Sequence, residues 1–155
     1  MIGMNGLIQI LTAFCGTLGF GFLFNSRGKK LFFSAFGGML AWLLFLLLKA
    51  VTPNEVFRYF LVSVIITIYS EHLARIFKAP MGTFCILSLI PLIPGGALYY
   101  SASHALGGDF AHFAESALNT LELSAALSLG IVVVTAAMRL SKTYRRFHKE
   151  RGNRM

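Results

Sequence analysis

Residues 84–100 read FCILSLIPLIPGGALYY. The run is apolar enough for a helix in lipid, yet Pro91 and Pro94 stand three residues apart within it and Gly95 and Gly96 follow at once. An internal proline removes a backbone N–H donor and presses its ring against the carbonyl one turn earlier. Hydrocarbon offers no water to the freed groups, so irregular backbone persists at membrane depth only where protein or a watery cavity satisfies it. The stretch therefore predicts a membrane helix broken at Pro91/Pro94. Two readings of the break stand: a kink that shapes a helical bundle, or a discontinuous helix whose exposed carbonyls and amides meet a substrate or ion near the midplane.

Upstream, the pattern predicts a third span from Phe57 to Phe77. Its uncharged part, Tyr59–Ser70, is only 12 residues, or roughly 18 Å of helix. Arg58 at one end is expected to snorkel. At the other end Glu71, His72 and Arg75 continue the helix, with Glu71 and Arg75 four apart and so on one face. Those last turns lie either at the interface or against a protein interior. Thr52 before Pro53 suits the helix start, and Lys78 and Pro80 close it. Further upstream, Leu31–Leu48 and Met4–Phe24 are uncharged, and the 21 residues of the latter cover roughly 31 Å, about one hydrocarbon core. Arg27, Lys29 and Lys30 separate them. Downstream, 101–115 is small and polar with a loop expected around Gly107–Asp109. Asn119 and Thr120 lead into a fifth span over Leu121–Met138, and Arg139 bounds it.

Composition agrees with this pattern. Of 155 residues, 56% are hydrophobic, 13% are charged and 15 are Phe, with a mean hydropathy of +0.70. A soluble domain carries about 25% charge and cannot hide so much apolar surface at this size, so the surplus calls for a lipid bilayer. The net charge is +8, and seven of the 14 basic residues lie between Arg139 and Arg154. The first positive charge is Arg27, which leaves no charged region ahead of the first apolar run, so that run is expected to be a retained span and not a signal peptide. The expected fold is all-α: a polytopic membrane protein with about five transmembrane helices over residues 1–140 and a basic cytoplasmic tail over 141–155. Placing the basic loops and tail inside puts the N-terminus outside and the C-terminus in the cytoplasm.

The sequence has no nucleophile elbow, phosphate-binding glycine loop, HExxH or paired catalytic carboxylates, so an enzyme is not expected, nor a cofactor or metal. Cys15 and Cys85 sit 70 apart in apolar segments and read as small buried hydrophobes. Gly16, Gly19 and Gly21 suit close helix packing, with contact to an ion or substrate as the other reading. Glu71, His72 and Arg75 either anchor a helix end or line a polar route, where Arg75 can meet a carboxylate. Glu122 is either interfacial or a proton-coupling or ion-pair residue, while His104 and His112 read as loop residues. Trp42, Tyr99 and Tyr100 are belt or packing residues. The tail suits anionic lipid headgroups, not nucleic acid.

Several features in order resemble the threonine/serine exporter family, specifically the small membrane protein corresponding to the C-terminal half of the fused exporters. They are Gly21-x-x-Phe24-Asn25 at the end of the first span, a basic loop into a Gly37-bearing second span, and Arg75 before Pro80 with Phe84 beyond. The strongest is Ile90-Pro91-Leu92-Ile93-Pro94-Gly95 with Tyr99 five residues after Pro94. The resemblance covers roughly residues 5–140. It implies a subunit of a bacterial inner-membrane secondary transporter that works with a larger membrane subunit and exports small polar metabolites, threonine and serine or a dicarboxylate such as succinate. Candidate pathway residues are Asn25, Glu71, Arg75, Pro91, Pro94, Gly95, Gly96, Tyr99 and Glu122. The alternative is a structural or assembly subunit that stabilises the larger partner without touching substrate.

Overall fold

The computed structural model describes residues 4–152, with side chains described through Ser141. Among them every regular element is helical: α1 (Met4–Leu23), α2 (Lys29–Lys49), α3 (Glu55–Ile76), α4 (Met81–Leu89), a 3-10 turn at Ile90–Leu92, α5 (Gly95–Leu106) and α6 (Phe110–Gly152). By length and composition α1, α2, α3 and the 110–141 part of α6 can each cross a membrane. The pair Met81–Leu92 and Gly95–Leu106 passes the same test together, bent by 60°. The protein is thus all-α and polytopic, with four long apolar helices, or five crossings if the bent pair is one.

Local chemistry sets the helix ends. After α1 the chain turns through Asn25 at φ 53, a left-handed conformation that asparagine tolerates. The Ser26 N–H donates to the Gly21 carbonyl at 2.9 Å and the Asn25 N–H to that of Phe22 at 3.0 Å, so two otherwise orphaned carbonyls are satisfied. At α3 the capping residue is Asn54, whose side chain accepts from the Phe57 N–H at 3.1 Å; Thr52, the expected starter, lies too far upstream to reach the first turn. α6 begins at Phe110, well before the expected Leu121, because Asp109 caps it and the polar stretch that follows packs on α5. There the Ser101 and Thr120 hydroxyls meet at 3.2 Å. The helix also passes residues 140 and 141 without a break. From residue 142 onward the side chains of the expected tail lie outside the described residues.

Packing converges on α3. Half of its most apolar window is buried, against 11% for α1, which lies mainly along α2. The core joins Phe45 of α2, Tyr59, Val62 and Ile66 of α3, Cys85 and Leu89 of α4, Leu92, and Leu123 and Ala126 of α6. Helices approach where a glycine leaves room for a small hydroxyl: Gly38 against Thr17, Gly37 against Ser88, Gly130 against Ser63. Two of these hydroxyls return to their own helix, Thr17 to the Ala13 carbonyl and Ser63 to that of Phe60, each at 2.8 Å, whereas Ser88 donates across to the Ser34 carbonyl of α2 at 3.2 Å. Of the three glycines expected to pack on α1, only Gly21 does, against Leu31 and Leu87. A Cβ at Gly16 or Gly19 would meet open space. Cys15 is likewise exposed, and only Cys85 is a buried hydrophobe.

Candidate functional site

The break after α4 opens a cavity of about 510 Å³. Pro91, Ile93, Pro94, Gly95 and Gly96 form one wall; Trp42 of α2, Glu55 and Tyr59 of α3, and Asn119 of α6 stand opposite. Here the chain leaves α4 through the 3-10 turn, and α5 restarts at Gly95 with Pro94 before it. A Cβ added at Gly95 or Gly96 would meet nothing within 4 Å, so both glycines present bare backbone to open space. The cavity therefore offers α5 backbone, one carboxylate, one amide and aromatic faces to an occupant.

A smaller cavity of about 270 Å³ shares Trp42 and Pro91 and continues against α1, where Gln9, Thr12, Gly16 and Thr17 line it. The Trp42 indole N–H donates to Gln9 Oε1 at 3.2 Å along this wall. Gln9, Glu55, Tyr59 and Asn119 are absent from the sequence-derived candidates. Their only signal is that each is a polar or amphipathic residue at or inside a span.

Among the candidates, Pro91, Pro94, Gly95 and Gly96 come together, and the others lie elsewhere. Tyr99 is exposed and contacts Tyr100 edge-on at 5.7 Å, so Tyr100 faces the cavity in its place. Asn25 serves its turn at the opposite end of α2. Arg75 Nη2 reaches Glu71 Oε1 at 3.2 Å; the Arg75 side chain is 58% exposed and that of Glu71 only 10%. The polar end of α3 thus buries its carboxylate in the protein, beside Ser70 and Thr67 on the same inward face, and leaves its guanidinium outside. Glu122 is exposed at the rim of a separate, mainly apolar cavity of about 470 Å³ between Asn54, Phe57, Phe60 and Leu129.

Arg58 departs from the snorkelling expected of it. The residue is 6% exposed, its guanidinium lies 4.8 Å from the centre of the Phe45 ring, and Nε and Nη1 are buried without a hydrogen-bond partner. The first turn of α3 packs against α2, which puts Arg58 under the protein and not at its edge. Phe45 in turn stacks on Trp42 at 5.5 Å and meets Tyr59 edge-on at 5.1 Å.

Between α5 and α6, Asp109 Oδ1 accepts from the His112 N–H at 3.3 Å and Oδ2 lies 2.7 Å from His112 Nδ1. These hydrogen bonds from His112, backbone first, hold the Asp109 carboxyl below its usual range. The His104 ring stacks on His112 at 5.5 Å. Among the described residues no three His, Cys, Asp or Glu side chains gather as a metal site would require.

Four long apolar helices and a bent pair, packed around one apolar core, define a multi-pass helical membrane protein. Residues 9–137 match the family model described as Threonine/Serine exporter, ThrE. The chain belongs to that family, which is one of transporters and not of enzymes. No curated protein and no solved structure matches it.

Proposed function

We propose that the chain is the small subunit of a split secondary exporter in the bacterial inner membrane, working with a larger membrane subunit to move small polar metabolites outward. Threonine and serine are the substrates that the family description favours, and a dicarboxylate such as succinate is the other class in this reading. The observation that carries the reading is the cavity of about 510 Å³ beside Pro91–Gly96. Transporter sites commonly form where a helix is discontinuous and backbone groups become available to a ligand. In this reading α4, the 3-10 turn and α5 are one broken crossing, giving five in all. The loop with Arg27, Lys29 and Lys30, the turn with Lys78 and the C-terminal tail then face the cytoplasm, and the N-terminus faces out. An ion or proton gradient drives export.

The test is efflux from whole cells or vesicles carrying the chain alone, the larger subunit alone, or both. Export of hydroxy amino acids or dicarboxylates only with both supports the proposal. If the pair moves neither class under an imposed gradient, the transport reading is wrong. The exposed outward face of α1, with Leu7, Ile8, Leu11 and Leu23, favours a second reading in which the chain mainly assembles or stabilises its partner. That reading requires substitutions in the cavity to leave transport per assembled complex unchanged.

A further inference from the structure

A buried cation needs partners that replace its lost hydration, and Arg58 is short of them. It is 6% exposed, and two of its nitrogens are buried without partners. Among the described residues the ion pairs within 4 Å are Glu71–Arg75 and Asp109–His112, and neither includes Arg58. Attraction to the face of Phe45 compensates only a part of the lost hydration of a cation. The position adds a further penalty, because Arg58 lies in the first turn of α3, where the helix dipole favours negative charge. A group held this unfavourably destabilises the conformation that holds it, relative to one in which an anion reaches it.

One aromatic layer separates Arg58 from the cavity. Phe45 lies under the guanidinium and is stacked on Trp42 and set edge-on to Tyr59. Trp42 and Tyr59 line the cavity of about 510 Å³. We infer that Arg58 is the carboxylate-binding residue of this cavity, sequestered behind Phe45 in the conformation described and presented to the cavity when the Phe45–Tyr59 layer moves. The ligand class is a small metabolite carrying a carboxylate, which the guanidinium can grip through two parallel hydrogen bonds. Such a ligand binds only the presented state and so shifts the population toward it. Glu55 lines the same cavity one turn before Arg58 and is the resident carboxylate with which a ligand would compete. The inference rests on the transport reading above and adds to it the group that recognises substrate.

The experiment uses the full chain together with its larger subunit in lipid nanodiscs, with threonine and succinate as probes and threoninamide and succinamide as controls that lack a carboxylate. Thermal unfolding midpoint, probe affinity and vesicle transport are measured for the wild type, Arg58→Lys, Arg58→Met and Glu55→Gln. The expected result is that a carboxylate probe raises the wild-type midpoint and the amides do not. Arg58→Met should leave the ligand-free midpoint unchanged or higher and weaken carboxylate binding at least tenfold, with Arg58→Lys in between. Glu55→Gln should retain or tighten binding. Trp42 is the one tryptophan of this chain, so a carboxylate-dependent change in emission that vanishes in Trp42→Phe would report movement of the layer.

If Arg58→Met lowers the ligand-free midpoint while probe affinity stays at the wild-type value, Arg58 is a packing residue and the inference is overturned. Equal affinity of the wild type for acids and amides overturns it as well. Wild type that transports and binds carboxylates, with Arg58→Met doing the same, removes this inference and leaves the transport reading standing. A wild-type pair that neither binds nor moves any probe removes both.

Discussion

Gly130 of α6 lies against Ser63 of α3 with no room for a methyl group. A Cβ built at Gly130 would stand on the Ser63 hydroxyl and 2.9 Å from the Phe60 carbonyl oxygen, to which that hydroxyl already donates at 2.8 Å. Backbone and side chain are locked together there, so neither yields cheaply. Gly130→Ala is expected to destabilise the α3–α6 pair by about 1–3 kcal/mol. Gly16→Ala, which meets open space, should stay within about 0.5 kcal/mol of the wild type or stabilise it slightly. Thermal unfolding of both variants in one detergent checks the contrast.

Gly95 and Gly96 make the opposite prediction about size. Because both face open space beside the cavity, Gly95→Ala should fold and assemble normally. Gly96→Phe should also assemble, yet reduce transport per complex tenfold or more by filling the cavity. Quantified complex yield alongside efflux separates the two effects, and normal efflux in Gly96→Phe would remove the cavity from the pathway.

The Trp42–Gln9 hydrogen bond is a polar link between the peripheral α1 and its neighbour. Gln9→Leu leaves the indole N–H without its partner at this depth. The expected cost is about 1 kcal/mol, the scale of a hydrogen bond between membrane helices. Easier proteolysis or faster amide exchange in α1, with the rest of the chain unaffected, is the signature.

Asp109 predicts a pH dependence with a definite sign. Its carboxyl sits below the usual range because hydrogen bonds from His112 favour the ionised form. The cap on α6 is therefore fully present above about pH 4 and is lost as pH falls through the lowered native value. Amide protection at residues 110–113, corrected for intrinsic exchange, should fall on acidification. Asp109→Asn should keep a cap but lose the pH dependence.

Removing Arg75 tests the polar end of α3. The pair with Glu71 is half exposed on the arginine side, so Arg75→Ala should cost less than about 1 kcal/mol of stability. If Arg75 also guides substrate, export falls by more than this stability change explains, and Arg75→Lys restores part of it.

The long helical spans were legible because they follow from rules that act along the chain. Lipid demands long uncharged runs, and proline removes a donor wherever it stands. Arg58 illustrates what such rules miss: at the edge of an apolar run a sequence reading sends its charge to water, whereas the fold lays Phe45 across it. Tyr99 and Tyr100 show the same gap at the finest scale, since adjacent helical residues point about 100° apart and only the placement of α5 decides which one faces the cavity. The start of α6 was missed because a short polar stretch reads as loop until α5 gives it something to pack on.

The sequence by itself determined the solvent, the all-helical class, the clustering of basic residues and the family. Each is a property of composition, or of spacing that one helix carries alone. Only the tertiary structure decided which polar groups share a space: Glu55, Tyr59 and Asn119 with the broken segment, Glu71 inside and Arg75 out, Arg58 beneath an aromatic ring. The reason is that burial and charge pairing depend on what neighbouring helices present, and that is fixed when glycines and small hydroxyls set which faces approach most closely.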